Sequence, residues 1–304
     1  MVSSPPIPAI SVSDAVAPFL AAAHGAVHSV FPRAVNLVVA DRLLTLADEL
    51  AGGLPNGVAL QSPPDFRARG LRAGDRADLG REGIRLPSVG LVVDLSGARP
   101  WNPELARLRG RADPARFRPF GDLGVASGFG PWAADPWRGW HAIDALRGAL
   151  GAGDLAAMLG AARALIGRGP GLTPSGDDLL VGFSAALTAT GHPLARPFAR
   201  GVAEGARGAT TDVAWTYLDH AARGEYAEHL HVVLRALLVG PDGDLAMAVG
   251  RVLAWGATSG ADALTGIAVA IGWVDGARLE AVAWSPRGSS AAASSPTATA
   301  IRWS

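Results

Sequence analysis

The hydrophobic period of this chain changes near Pro136, and that change divides what it can fold into. Before it, short apolar runs alternate with turn formers: Val35-Asn36-Leu37-Val38-Val39, Val58-Ala59-Leu60-Gln61 and Val89-Gly90-Leu91-Val92-Val93-Asp94-Leu95. Runs this short, bounded by Gly, Pro and Asn as in Gly52-Gly53-Leu54-Pro55-Asn56-Gly57, read as strands. Residues 41–50 fit strand or helix equally. Residues 66–84 are charged and turn-rich, with Ala73-Gly74-Asp75 as their turn. A small sheet, closed as a barrel or stacked as a sandwich, is expected over 14–135. After Pro136, the segments 140–150, 153–166, 178–190, 193–205, 211–223, 226–238, 244–254 and 261–271 read as helices between Gly or Pro breaks. They predict a domain of seven or eight helices over 136–287. The fold class is therefore α+β, an N-terminal β-rich domain followed by a C-terminal helical one. Residues 1–13, rich in Ser and Pro, are expected to be disordered, and 288–304, a Ser/Ala/Thr tract, to be a flexible tail. Residues 276–284 can return as a strand to the first domain.

Composition removes several chemistries. The chain has no cysteine, which excludes disulfides and thiolate nucleophiles. All 27 basic residues are arginine. Without lysine there is no Schiff base for pyridoxal phosphate and no P-loop lysine. Net charge is zero, so no basic field recruits nucleic acid or an anionic membrane. No run of about 18 apolar residues escapes polar interruption, and the N-terminus lacks a signal peptide's charged and apolar regions. A cytoplasmic location is the expectation.

The densest chemical signal is Gly169-Pro170-Gly171-Leu172-Thr173-Pro174-Ser175-Gly176-Asp177-Asp178. Glycines permit positive φ and close approach by a ligand. Prolines stiffen the turn and remove donors, so the remaining amides can face one concavity. Ser175 or Thr173 is a plausible N-cap for the helix that follows. Free amides and the helix dipole favour an anion there, with Arg168 the nearest cation in sequence. Asp177 and Asp178 also suit a helix start, and either alone can simply complement the dipole. Adjacent residues point about 100° apart on a helix, so one can cap while the other faces a cleft. A carboxylate beside an anion calls for an arginine, a substrate N–H or Mg²⁺ between them.

A second segment repeats the first. Ser175-Gly176-Asp177-Asp178-Leu179-Leu180-Val181-Gly182 aligns with Ser259-Gly260-Ala261-Asp262-Ala263-Leu264-Thr265-Gly266, five positions of eight being identical. Thr173 and Thr258 precede the two serines. In each copy the Asp and the second Gly share a helix face. Two helix starts converging on one site, with Gly182 and Gly266 letting the helices approach, is the expectation. Asp178 and Asp262 are then counterparts and the candidate Mg²⁺ ligands; chance similarity in a Gly/Ala-rich chain is the alternative. Lesser candidates are Thr210 and Thr211, whose hydroxyls can complete an anion site or merely cap a helix, and His28 and Asn36 among the strands. Glu225, Glu228, His229 and His231 have metal-like spacing but read better as a solvated helix face. There is no HExxH motif and no Gly-x-Ser-x-Gly elbow.

The ten-residue block resembles that of the AllH family, a bacterial group named for the oxamate carbamoyltransferase subunit, whose version reads close to GxGPGLTPSGDD before an apolar helix. Gly256-Ala257-Thr258-Ser259-Gly260-Ala261-Asp262 is similar to the family's second block. His28-Ser29-Val30-Phe31, Asn36-Leu37 and Leu43-Leu44-Thr45-Leu46 resemble its N-terminal pattern. The resemblance implies a subunit of a multi-subunit system of anaerobic allantoin breakdown, within purine catabolism, that interconverts carbamoyl phosphate plus oxamate with oxalurate plus phosphate. Other subunits, or further copies of this chain, are the implied partners. On that reading the amides of Gly169, Gly171 and Gly176 hold phosphate, Thr173, Ser175, Thr258, Ser259 and Gly260 add donors, and Asp177, Asp178 or Asp262 takes a substrate N–H or Mg²⁺. The Ser-Thr-Arg-Thr motif of the aspartate and ornithine transcarbamoylases is absent. Two other readings use the same turn: a non-catalytic, ligand-binding partner subunit, and an ATP·Mg²⁺-dependent small-molecule kinase or ligase clamping phosphates by arginine and amides alone.

Overall fold

The computed structural model describes residues 5–21, 24–110, 113, 116, 128 and 136–272. The chain divides into two compact units. One runs through Ala106 and includes Asp219–Val232; the other contains Arg107–Leu218 and the chain from Val233. The architecture is α+β, strands first.

The first unit is a closed sheet of β1 (Ile7–Ser13), β2 (His24–Val30), β3 (Ala34–Val39), β4 (Arg42–Asp48), β5 (Gly57–Leu60), β6 (Arg76–Gly80), β7 (Gly83–Leu86) and β8 (Leu91–Asp94). The order is β5-β4-β3-β2-β6-β7-β8-β1, and β1 returns to pair with β5. A short β9 (Arg99–Trp101) runs parallel to the end of β1. Closure leaves the eight strands no free edge to aggregate. Period-2 alternation sends Val35, Leu37 and Val39 of β3, Leu44 and Leu46 of β4, and Ile84 and Leu86 of β7 into one core with Phe66.

Two expectations are corrected here, and one left open is settled. Residues 1–13 are not a disordered tail throughout, because Ile7–Ser13 is β1, paired on both edges. Its Pro and Ser content hides an alternation that buries Ile7, Ala9 and Ser13. Pro8 still contributes its carbonyl, which accepts from Gln61 N–H at 2.9 Å. Residues 66–84 hold more than turns: β6 and most of the β6–β7 hairpin lie there, with Arg76, Arg81 and Glu82 on the exposed side. Within residues 41–50, Arg42–Asp48 is strand β4, and a 3-10 turn at Glu49–Ala51 follows it. The β3–β4 turn is made by Ala40 and Asp41, both at positive φ, as a two-residue hairpin requires. It lacks the usual Asn-Gly signature.

The second unit is helical. Counting those shared between the units, eight α-helices lie among the described residues: α1 (Pro136–Ala152), α2 (Leu155–Leu165), α3 (Ser175–Thr190), α4 (Ala195–Ala206), α5 (Asp212–Arg223), α6 (Glu228–Leu238), α7 (Asp242–Leu253) and α8 (Ser259–Ala270). Residues 276–284 and 288–304, expected as a strand and a tail, lie outside the described residues. α3 and α8 are buried nearly all round, as a central helix pair must be. A Cβ on Gly182 would stand 2.0 Å from the Ala263 carbonyl oxygen, and one on Gly266 would stand 2.0 Å from that of Leu179. The two contacts interchange under the shift that matches Asp178 to Asp262. The helices therefore cross about a local pseudo-two-fold axis, with backbones closer than any side chain allows. No described helix is long and apolar enough to cross a membrane.

Candidate functional site

The crossing of α3 and α8 brings their first turns together. Thr173 Oγ1 and Ser259 Oγ are 3.0 Å apart, one from the loop before α3 and one from the start of α8. Ser175 Oγ and Thr258 Oγ1 both flank the α-carbon of Gly128, where a Cβ would meet them at 1.9 and 3.2 Å. The Gly128 N–H donates to Asp262 Oδ1 at 3.0 Å. Thr173, Ser175, Asp178, Thr258, Ser259 and Asp262 therefore share one site.

The preceding loop, 167–174, is shaped by its glycines. Gly169 has φ +121°, and a Cβ there would stand 2.6 Å from the Ser175 nitrogen. Only glycine fits both constraints. Arg168, Pro170, Gly171 and Leu172 are exposed. Among the described residues, the amides of Gly169, Gly171, Leu172 and Thr173 donate to nothing. They are available to an anion.

The two adjacent aspartates do different work. Asp177 faces back into the loop, where its carboxylate accepts from the Gly167 N–H at 3.1 and 3.2 Å and from Thr210 Oγ1 at 2.5 Å. Burial raises its pKa, and the Thr210 and Gly167 hydrogen bonds oppose the rise. Asp178 faces the junction and is 3% exposed. Burial pushes its pKa well above the carboxylate range; the hydroxyls of Ser259 and Thr173 pull it down, while the charges of Asp262 and Asp177 push it further up. Its Oδ2 is buried and has no hydrogen-bond partner among the described residues. Such an atom costs about 1–3 kcal/mol and needs an explanation. Tyr217 of α5 lies close enough for the Asp178 charge to act on it, and burial with that charge raises its phenol pKa. Its ring meets Trp255 edge-on at 6.0 Å.

Family models match both parts of the chain. The model described as oxamate carbamoyltransferase subunit AllH matches residues 165–271, and that of the AllH family N-terminal domain matches residues 8–100. The chain belongs to the AllH family. The first match begins just before the glycine loop and ends just after α8, so it encloses the loop and both helix starts. No solved structure matches the chain.

Other residues singled out in this AllH sequence have different surroundings. The Gly176 amide donates to the Arg168 carbonyl at 2.8 Å and the Gly260 amide to that of Trp255 at 3.0 Å. Both glycines pack where a Cβ would strike a main-chain carbonyl, of Leu165 and Val252. Their requirement is close packing, and their amides are not available to phosphate. Neither Ser175 nor Thr173 is the N-cap of α3; that position is Pro174, whose carbonyl accepts from Asp177 and Asp178. Thr211 caps α5, its hydroxyl accepting from Ala214 N–H at 3.1 Å and donating to the Leu172 carbonyl. Thr210 and Thr211 thus tie the loop down from one side.

His28 and Asn36 belong to the barrel unit. Asn36 donates to Ser29 Oγ at 2.8 Å and accepts from Thr45 Oγ1 at 2.7 Å, and Asn56 donates to Thr45 at 3.0 Å. His28 Nδ1 lies 3.1 Å from Ser29 Oγ. This is a polar ladder across β2, β3 and β4. The segment with Glu225 and His229 is not a solvated face. His220 Nδ1 and Glu225 are 2.6 Å apart, Glu228 accepts from Gly53 N–H at 2.8 Å, and burial lowers the His229 imidazole pKa to about 3. Among the described residues no group of three or more His, Asp or Glu is placed to hold a metal ion. Sequence reasoning missed Gly128 and Tyr217. Gly128 carries no periodic or motif signal, and Tyr217 reads as an ordinary residue on the face of α5.

Proposed function

We propose that this AllH-family chain is the subunit of an oxamate carbamoyltransferase that holds the reacting substrates, joining the carbamoyl group of carbamoyl phosphate to oxamate, or the reverse. The observation that carries the reading is the unpartnered Oδ2 of buried Asp178 at the junction of two helix starts, beside a loop of free amides. Carbamoyl transfer needs a phosphate held by N–H donors and a polar group near the amide nitrogen that attacks. The amides of Gly169, Gly171, Leu172 and Thr173 suit phosphate, with Arg168 exposed beside them. The hydroxyls of Thr173 and Ser259 suit carbonyl or carboxylate oxygens. Asp178 suits an amide N–H. Asp177 and Thr210 keep the loop in shape. On this reading the site works beside other subunits of the enzyme, in the cytoplasm, as part of allantoin and purine breakdown.

Thermal unfolding against carbamoyl phosphate, phosphate, oxamate, oxalurate and ATP, each with and without Mg²⁺, tests the reading. A ligand at about 100 times its Kd adds about 2.7 kcal/mol. Stabilisation by carbamoyl phosphate or oxalurate, lost in Asp178→Ala, is expected. A shift that requires Mg²⁺ assigns the ion to Asp178 and Asp262. A shift with ATP·Mg²⁺ alone replaces the reading with a nucleotide-dependent one. No shift with any ligand removes the substrate-holding role from this subunit.

A further inference from the structure

We propose that the outer face of α7 joins two copies of this chain about a two-fold axis. The inference is independent of the substrate reading above. Five large apolar side chains are exposed among the described residues, and three of them, Val239, Met247 and Leu253 at 58%, 59% and 39%, stand on α7 or in the turn leading into it. Scattered singly such residues need no explanation, but a cluster does. At about 100° per residue, Leu253, Ala246, Gly250, Ala254 and Met247 follow one another through about 120° of the exposed side of α7 and its C-cap. No charge interrupts that arc, although it faces away from Leu245, Ala248, Val249 and Val252, which the helical unit buries. Other surface helices of the unit are built differently. α4 puts Arg196, Arg200 and Glu204 along its exposed side. α2 exposes Ala156, Gly160 and Ala164 but no large apolar side chain. An alanine-rich composition therefore explains small residues at the surface and does not explain Met247, Leu253 and Val239.

The charges beside this arc select a second copy as the partner. Asp244 and Arg251 are exposed within about 60° of Met247, and lie about 10 Å apart along the helix axis. Among the described residues neither forms an ion pair. Two α7 helices laid antiparallel, with the two-fold axis near Met247, set each Asp244 against the Arg251 of the other copy. One patch thus carries both signs that its own image needs, as an isologous interface requires. The antiparallel arrangement also lays the N-terminal end of each helix beside the C-terminal end of the other, where their dipoles attract. A Cβ on Gly250 would meet nothing within 4 Å in the chain itself, which leaves room for the Met247 side chain of the second copy. Zero net charge puts no general repulsion between copies. One helix face and its neighbouring turn make a small interface, so a dissociation constant in roughly the micromolar range is expected.

The test is the mass of the full chain in solution, by sedimentation velocity from about 1 to 100 μM. Wild type is expected to rise with concentration from the chain mass of 31.0 kDa to twice that. Gly250→Arg and Met247→Glu are each expected to weaken the dimer about tenfold or more, while circular dichroism stays that of wild type because both positions are open to solvent. Asp244→Arg alone and Arg251→Asp alone are each expected to weaken it through like charges. Mixing these two single variants, or combining both changes in one chain, is expected to restore it, since every pair then meets opposite charge. Wild type that stays at the chain mass throughout overturns the proposal and leaves the face to a different subunit. A dimer that Gly250→Arg leaves intact lies on another surface and overturns it as well. So does a charge exchange that fails to restore the dimer.

Discussion

The two helix starts that meet in the helical unit have the same residues at most positions and different hydrogen-bond donors. At α8, Asp262 is buried completely and accepts from the Gly128 N–H. At α3, Asp178 is buried almost as deeply and meets the hydroxyls of Ser259 and Thr173 instead. The loops differ too. α8 follows a short Gly256-Ala257-Thr258 turn, whereas α3 follows the long Gly/Pro loop with exposed Arg168, Gly171 and Leu172. One carboxylate is held by a main-chain amide and the other by side-chain hydroxyls.

The largest expected effect breaks the comparison at its axis. Gly182→Val and Gly266→Val each drive a side chain into a carbonyl oxygen of the other helix. Each is expected to lose stability at the top of the ~1–3 kcal/mol overpacking range or beyond, by similar amounts, in denaturant unfolding. Clearly unequal losses would deny the pseudo-symmetry. Next, Asp262→Ala leaves the Gly128 N–H without its buried acceptor and is expected to cost about 1–3 kcal/mol. Asp178→Asn removes a charge that burial disfavours, so its Tm at neutral pH is expected to equal or exceed that of wild type. A loss of stability in Asp178→Asn as large as that of Asp262→Ala would erase the asymmetry between the copies.

The pH dependence sharpens the same contrast. A carboxylate whose folded pKa is raised keeps its proton in the native state after the unfolded state has released it. Stability is then expected to fall as pH rises from the ordinary carboxylate range toward the raised pKa of Asp178, and to level off above it. Urea unfolding across that range should show this fall in wild type and a weaker one in Asp178→Asn. The smallest effect is expected at the loop. Thr210→Val removes one hydrogen bond to Asp177 and is expected to cost about 1–2 kcal/mol, with the loop amides exchanging hydrogen faster.

Period and punctuation made much of this legible. Strands β3, β5 and β8, all eight described helices and the pairing of Asp178 with Asp262 follow from spacing alone. β1 escaped because Pro6, Pro8, Ser11 and Ser13 mask an alternating strand, and β6 and β7 because their outward face is densely charged. The turn at Ala40-Asp41 uses residues that seldom adopt positive φ, so nothing marked it. At the site, spacing placed both carboxylates at helix starts. It did not distinguish glycines that free an amide from Gly176 and Gly260, which are needed where helix backbones touch. Nor did it reveal Gly128, because a lone glycine becomes informative only when folding sets it between Ser175 and Thr258.

A structure of the full chain with oxalurate bound tests the central claim most directly. It is expected to place a ureido N–H within about 2.7–3.2 Å of Asp178 Oδ2, with Gly128 still donating to Asp262. Oxalurate bound away from this junction, or with its N–H groups turned from Asp178, would contradict the account.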